Sequence, residues 1–329
     1  MASNLIHPRA IRWVASLAAA LAVGNTPVCA QTYPERAVRL IVPFSPGGTG
    51  DVLARLVSEE LYKAWGKPAV VINREGADTI LGVDMAAKSS PDGHTLLIGP
   101  TAMAINAGLG RQVPYDIRKD LEPVTLALMQ PLALVASPAG PITSLADLIR
   151  TAKSDPNKLR YGSLGTGGIP NMSMELLKVS AGINLIQVPY KGSPAAIIDL
   201  MSGQIDLLFS GVTSVAQHIK SGRLRGIAIT SKARTPLLPD MPTIAESGFP
   251  NYQTTSWYGV LVKSGTPPMV VNRLGSELRR ILALLTLRQK MADQGGEVAS
   301  STPEQFGMFL NEEIRKWAAV TKAQRISVQ

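Results

Sequence analysis

The feature that most constrains this fold is a short apolar run that stops at a glycine-rich loop and continues as an amphipathic segment. The run, residues 38–44, is rich in β-branched residues and bounded by turn formers, which predicts a buried strand. After the loop, apolar residues recur with a period of 3.6 residues, which predicts a helix with one stripe formed by Val52, Leu53, Leu56, Val57 and Leu61. The same unit occurs again where residues 159–163 lead into the glycines of residues 165–168 and a second helical segment.

Strand-like and helical segments alternate along the rest of the chain. The other strand-like runs are residues 68–73, 95–99, 132–137, 204–209, 224–230 and 255–263. Such alternation predicts an α/β fold with a mainly parallel sheet that carries helices on its faces. The last helix is predicted to begin at a capping box, Thr302 to Gln305, with Pro303 in its first turn.

The N-terminus has the pattern of a targeting segment. Arg9 and Arg12 precede an apolar run, and the segment ending at Ala30 offers small residues where a signal peptidase recognises them. We predict a signal peptide over residues 1–30 and export to the periplasm, since the apolar run is too short to span a bilayer. The alternative is a lipid anchor on Cys29, the single cysteine, although Val28 is bulkier than the residue that usually precedes such a cysteine.

The composition and the charge narrow the choice of partners. Apolar residues make up 45% and charged residues 17% of the chain, as is typical of a folded globular protein. Residues 1–30 contain two arginines and no acidic residue, so their removal lowers the net charge by two, from +9 to +7. This surplus suits an anionic ligand. No basic tract is interleaved with aromatic residues, so nucleic acid is not an expected partner.

The two glycine loops are candidates for anion binding. A helix that begins directly after such a loop directs free N–H groups and a partial positive charge at its ligand. The first loop has neither the Lys-Ser or Lys-Thr pair of a P-loop nor the spacing of a dinucleotide fingerprint, so an ordinary strand-to-helix turn remains the alternative. Two such loops on one cleft would hold the two ends of a dicarboxylate. Asp51 either matches the helix dipole or accepts a hydrogen bond from a ligand donor.

The mature chain lacks a recognisable catalytic or metal-binding pattern. Its two histidines, His94 before a strand and His218 on a predicted helix, are expected to be structural or solvated. Ser45 and Ser163 lack the flanking residues of a nucleophile elbow. No cluster of His, Cys or acidic residues has the spacing of metal ligands. We therefore predict no catalytic residue, no cofactor and no metal.

With both loops placed, the chain resembles the periplasmic receptors of the tripartite tricarboxylate transporter family, also called Bug receptors. The matching segments follow one another in the family's order: YPERAVRLIVPFSPGGTGDVLAR, SSPDGHTLLIG, VPYDIRKDLEPV, LRYGSLGTGG, VPYKGSPAAIIDLMSGQIDLLF, GRLRGIAIT and LPDMPTIAESGFP. The resemblance implies a type II periplasmic binding protein, an α/β fold with two lobes, two crossing strands and a ligand cleft between the lobes. The first lobe would comprise residues 31–135 and 254–329, the second residues 136–253, with crossings near residues 134–137 and 254–260.

The resemblance also implies a site and a function. In the family, two loops hold a ligand carboxylate through backbone amides and ordered waters, and Thr101 is a further candidate because it follows a strand. The expected ligand-binding residues are Phe44, Ser45, Gly47, Gly48, Thr49, Asp51, Thr101, Ser163, Thr166, Gly167, Gly168 and Asn171. We expect a monomeric, non-enzymatic receptor that delivers a small organic carboxylate to membrane transporter subunits. The alternatives are a sensory receptor without a transport role and an enzyme on the same scaffold.

The sequence departs from the family's pattern after the strand at residues 68–73. There the family generally has a proline and a glycine-rich run, whereas this chain has NREGADTILG, residues 73–82. We expect this segment to be less flexible and more acidic than in other members, since it contains Glu75 and Asp78. The second loop also differs, with Gly168 and Asn171 at places where the family often has serine and histidine. Because these positions are expected to lie near the ligand, the differences affect which acid the protein binds.

Overall fold

The computed structural model describes residues 33–163, 167–190, 192–324 and 326. The predicted signal peptide and Thr166 therefore lie outside the described residues. The main compact unit is Arg36–Gln329. Its strands are β1 (Val38–Val42), β2 (Ala69–Asn73), β3 (Thr95–Pro100), β4 (Leu121–Ala136), β5 (Arg160–Ser163), β6 (Ile186–Pro189), β7 (Leu207–Gly211), β8 (Arg225–Ile229), β9 (Thr255–Lys263) and β10 (Glu297–Val298).

Helices alternate with these strands as the sequence predicts. They are α1 (Thr49–Trp65), α2 (Ile80–Ala87), α3 (Thr101–Gly108), α4 (Ile117–Asp120), α5 (Leu145–Ser154), α6 (Ile169–Ala181), α7 (Ser193–Met201), α8 (Val212–Lys220), α9 (Pro268–Leu282), α10 (Leu285–Asp293) and α11 (Pro303–Gln324). The two predicted units of strand, glycine loop and helix are β1 with α1 and β5 with α6. The first unit is thereby confirmed, and so are the strand and the helix of the second, whose residues 164–166 lie outside the described ranges.

The strands pair in the order β2-β1-β3-β9-β4-β7-β5-β6, and β8 and β10 pair with β4. β1 is parallel to β2 and β3, and β5 is parallel to β6 and β7. In contrast, β9 is antiparallel to β3 and β4, and β4 is antiparallel to β7 and β8. The prediction of a mainly parallel sheet thus holds for the two groups of βα units. It is wrong for β9 and β4, which lie between those groups: β9 is antiparallel to its neighbour β3 in the first group, and β4 to its neighbour β7 in the second.

Strand β4 connects the two groups of parallel strands because it is long enough to pair with both. Its residues Leu121 to Pro131 pair with β9, whereas Leu132 to Ala136 pair with β7. The sequence predicts only the second part, since Pro123 and Pro131 interrupt the first part and its register with β9 shifts twice. The boundaries of the two lobes stay a prediction.

Alternating residues of β4 reach two different hydrophobic cores. Leu132 and Leu134 face a core that includes Tyr161 and Phe209, and Ala133 and Val135 face a core on the opposite side of the sheet. This period of two is the ordinary geometry of a strand buried on both faces. A further core surrounds Trp257 and supports the strand ends at which the candidate site lies.

The capping box predicted for the last helix is present in α11. The backbone N–H of Gln305 donates to Thr302 Oγ1 at 3.2 Å, and the backbone N–H of Thr302 donates to Gln305 Oε1 at 3.0 Å. We expect Thr302→Ala to lower the free energy of unfolding by about 1 kcal/mol, because a helix N–H then loses its acceptor. Thr302→Ser keeps the hydroxyl and is the control. Equal loss in both variants under urea denaturation would contradict the prediction.

Candidate functional site

A cavity of about 360 Å³ opens where four strands end. Its walls come from the residues that follow β1, β2, β3 and β5, which is where α/β sheets place their ligands. Because these loops belong to both groups of parallel strands, the cavity lies between the two. The lining residues are Pro43, Phe44, Ser45, Glu75, Gly76, Asp78, Thr79, Ala102, Asn106, Arg111, Gly167 and Gly168.

The buried carboxylate of Asp51 organises the first loop, residues 44–51. Asp51 is only 2% exposed and accepts hydrogen bonds from Gly47 N at 3.0 Å, Arg55 Nε at 2.8 Å and Asn73 Nδ2 at 2.9 Å. Burial raises the pKa of Asp51, but hydrogen bonds from Arg55, Gly47 and Asn73 outweigh it and lower the pKa to about 2. The carboxylate is therefore ionised at neutral pH and fixes the loop from within.

Two further contacts place Phe44 in the cavity wall. Asn73 Nδ2, at the end of β2, also donates to the carbonyl oxygen of Phe44 at 3.0 Å. The Phe44 ring meets Tyr258 edge to face, with 6.1 Å between ring centroids. Gly50 leaves room for this contact, because a Cβ there would lie 2.9 Å from the Tyr258 ring. The first loop thus presents Phe44 and Ser45 to the cavity on a preorganised backbone.

The second loop, residues 163–171, is anchored at both of its ends. The buried Ser163 hydroxyl accepts from Asn171 Nδ2 at 3.0 Å and from Gln187 Nε2 at 2.8 Å. Helix α6 begins with Gly168 as its N-cap. Gly167 has a φ of +83°, and a Cβ there would lie 3.1 Å from the Leu109 side chain, so this position favours glycine on both counts. Residues 164–166 lie outside the described ranges.

The predicted ligand-binding residues fall into three groups. Phe44, Ser45, Gly167 and Gly168 line the cavity, whereas Gly47, Gly48 and Thr49 lie farther along the first loop. The side chains of Asp51, Thr101, Ser163 and Asn171 are buried and bonded within the chain; the Thr101 hydroxyl, for example, accepts from Trp257 N at 2.6 Å. A direct ligand contact of these residues stays a prediction, as does the role of Thr166.

The structure adds cavity residues that the sequence analysis did not propose, namely Glu75, Asp78, Thr79, Asn106 and Arg111. Three of them belong to the loop of residues 75–79, the segment that departs from the family's pattern. Two residues of this 75–79 loop have partners outside it. Glu75 accepts a hydrogen bond from the Ser45 hydroxyl, and Asp78 Oδ2 lies 2.9 Å from Arg111 Nη1. The sequence does indicate where these three residues lie: the loop follows strand β2, and the ends of parallel strands meet at the edge of the sheet where ligands bind.

The backbone at the two loops suits an oxyanion, whereas the charged side chains of the cavity sum to one negative charge. Helices α1 and α6 begin in the two loops, and their N-termini carry partial positive charge and free backbone N–H groups. Arg111 adds a full positive charge, while Glu75 and Asp78 add two negative ones. Among the described lining residues there is neither histidine nor cysteine. The helix starts and Arg111 are the donors that the site offers an anionic ligand.

Within the described ranges, no helix combines the length and the apolar character that crossing a bilayer requires.

Comparison with known proteins gives a consistent result. The family described as "Tripartite tricarboxylate transporter family receptor" matches residues 53–326. Protein BugT of Bordetella pertussis is 36% identical over 298 residues, 90% of this chain and 91% of BugT. An R. palustris protein solved with adipate has a TM-score of 0.75 at 34% identity, covering 90% of this chain and 99% of that protein. MatC from Rhodopseudomonas palustris, solved with bound malate, has a TM-score of 0.72 at 29% identity, covering 88% and 99%.

These matches confirm the predicted fold class and the predicted resemblance. The solved relatives include periplasmic binding proteins, and the curled α/β sheet of this chain has their two-lobed type II architecture. The family match extends over most of the chain, from the first helix to the last. The chain therefore belongs to the family of tripartite tricarboxylate transporter receptors, the periplasmic solute-binding proteins also called Bug receptors.

Proposed function

We propose that this chain is a periplasmic receptor that captures a small organic carboxylate in the cavity and delivers it to the membrane subunits of a tripartite transporter. The observation that carries the proposal is the cavity itself, which lies at the strand ends between two loops that lead into helices α1 and α6. Backbone N–H groups at these helix starts are natural partners for a carboxylate. The relatives solved with adipate and malate support the same chemical class.

The proposal includes the route and the mode of action. A signal peptide over residues 1–30 exports the chain, and the mature receptor acts as a monomer. The two lobes close around the ligand by a hinge motion, as two-lobed binding proteins do. The receptor performs no chemistry on its ligand, so the acid is released unchanged.

The first experiment is a thermal-shift screen of the purified protein, unfolded and refolded beforehand to remove any ligand acquired during expression. The panel comprises mono-, di- and tricarboxylates, acidic amino acids and nicotinate-like aromatic acids. At about 100 times the dissociation constant, binding adds about 2.7 kcal/mol to the free energy of unfolding, which raises the midpoint by a few degrees.

Two results would contradict the proposal. One is a panel without any shift on refolded protein of native circular dichroism. The other is a ligand that is converted during incubation, which a proton NMR spectrum of the recovered acid would reveal. A receptor returns the acid unchanged, whereas an enzyme consumes it.

A further inference from the structure

The guanidinium of Arg111 is held by a carboxylate of the chain itself. Arg111 Nη1 lies 2.9 Å from Asp78 Oδ2 and 3.5 Å from Asn106 Oδ1. Among the described lining residues Arg111 carries the only positive charge. Its side chain is 26% exposed, whereas that of Asp78 is 67% exposed. The arginine is thus the fixed member of this ion pair, and the aspartate has open solvent beside it.

Two polar groups of the cavity wall are buried, and one of them, the Asn106 amide, faces the Tyr115 hydroxyl. Asn106 is 4% exposed and Thr79 is 7% exposed, and both line the cavity. Within the described residues, neither Asn106 Nδ2 nor Thr79 Oγ1 makes a hydrogen bond of normal geometry. Both residues adjoin the Asp78–Arg111 pair, and the chain fully covers these two polar atoms, so Arg111 is the charged donor of this wall that a ligand can reach.

The backbone of the 75–79 loop is strained where it carries Asp78. Ala77, Asp78 and Thr79 have φ values of +46°, +50° and +77°, although none of them is glycine. Each such residue costs about 1–3 kcal/mol, and strain of this kind persists only where surrounding contacts maintain it. The ion pair with Arg111 is one contact that holds Asp78 in place. Its release would let the loop relax.

We propose that the Asp78 carboxylate occupies, in the absence of ligand, the place on Arg111 that the second carboxylate of a dicarboxylic acid takes when it binds. The inference rests on the proposed function and names the ligand class. The first carboxylate lies at the backbone of Ser45 and Gly168, and the second displaces Asp78 from Arg111. The Asp78 carboxylate then turns into solvent, where its exposure shows that there is room.

This exchange makes the receptor selective for ligands with two charged ends. A carboxylate on a guanidinium forms two parallel charge-assisted hydrogen bonds, which a methyl group cannot replace. A monocarboxylate leaves the Asp78–Arg111 pair intact and gains nothing from it. A dicarboxylate gains the contact but must compete with Asp78, which lowers its apparent affinity. Removing Asp78 should therefore tighten the binding of dicarboxylates and leave monocarboxylates unchanged.

The test is calorimetric titration with three pairs of acids of equal chain length: succinate and butyrate, glutarate and valerate, adipate and hexanoate. In Asp78→Asn the affinity for the best dicarboxylate should rise about three- to fivefold, because the ligand no longer has to break an exposed ion pair. In Arg111→Gln it should fall at least about tenfold. The affinity for the matched monocarboxylate should change less than about twofold in both variants. Asp155→Asn and Arg150→Gln, which remove the same charges from exposed positions, are the controls.

The outcomes separate this inference from the proposed function. Equal changes for the two acids of a pair, or changes no larger than in the controls, would overturn the inference alone. Wild-type protein that binds none of the six acids but binds another carboxylate of the panel also overturns the inference alone. Failure with every carboxylate overturns both. If Arg111→Gln does not fold, Asp78→Asn still decides, because a damaged protein does not bind a ligand more tightly.

Discussion

Replacing Asp51 by alanine should weaken carboxylate binding at least about tenfold and lower the free energy of unfolding by about 3 kcal/mol. The Asp51 carboxylate accepts from Gly47 N and Asn73 Nδ2; in the variant Gly47 N loses this acceptor, and Asn73 Nδ2 keeps only the Phe44 carbonyl oxygen. Asn73 also holds Phe44 in the cavity wall. We therefore expect the loss of these hydrogen bonds to change the shape of the first loop and in this way to weaken ligand binding. Calorimetric titration and urea denaturation measure the two effects.

The pH dependence of the free energy of unfolding is a second test of the role of Asp51. The pKa of Asp51 is about 2 in the folded protein, below its ordinary value near 3.8. A lowered pKa means that the contribution is present in full above about pH 4 and is lost as the pH falls to about 2. The stability difference between wild type and Asp51→Asn should therefore shrink over this interval.

The control is Glu59→Ala on the same helix. Glu59 forms an exposed ion pair with Lys63, also four residues apart, and exposed pairs contribute little. We expect no measurable change in stability or binding. A constant difference between wild type and Asp51→Asn from pH 4 to pH 2, or unchanged ligand affinity in Asp51→Ala, would contradict the role assigned to this carboxylate.

Replacing Gly259 by alanine should lower the free energy of unfolding by about 3 kcal/mol, because no space exists for a methyl group. A Cβ at this position of β9 would overlap the ring of Phe306. Phe306 is fully buried and packs edge to face on Trp257, with 5.8 Å between ring centroids. The ring cannot withdraw without disturbing that pair. Chemical denaturation measures the loss.

Two variants identify the steric cause. Gly307→Ala, on α11, places a methyl group 3.8 Å from Pro123, an ordinary contact, and should be neutral or stabilising. Adding Phe306→Leu to Gly259→Ala should cost less than the sum of the two single changes, because the smaller side chain makes room. Strictly additive losses would show that the clash with Phe306 is not the cause.

The parts of the fold that depend on local pattern could be predicted from the sequence. Strand β9 has the predicted bounds, and the capping box of α11 makes both of its hydrogen bonds. The first part of β4 could not be predicted, because its prolines and shifted register hide the alternation that marks a strand. Its pairing is fixed by β9, which lies far away in the sequence.

The same distinction applies to the candidate site. Phe44, Ser45, Gly167 and Gly168 lie in glycine loops that local sequence marks, and the structure places them on the cavity. The position of Asp51 in the first turn of a helix does not tell whether its carboxylate matches the helix dipole or binds another donor. Its partner Asn73 lies on strand β2, and only the fold brings the two together. Arg111 carries no local signal, because only the fold brings it to Asp78.

The most direct measurement is a crystal structure of the protein with the acid that gives the largest thermal shift. We expect one carboxylate of this acid in the 360 Å³ cavity, within about 3.2 Å of the backbone at Ser45 or at Gly168. Direct and water-mediated contacts both count, since a bridging water is nearly as favourable. The acid bound at any other place on the molecule, with the cavity free of it, would contradict the proposed function.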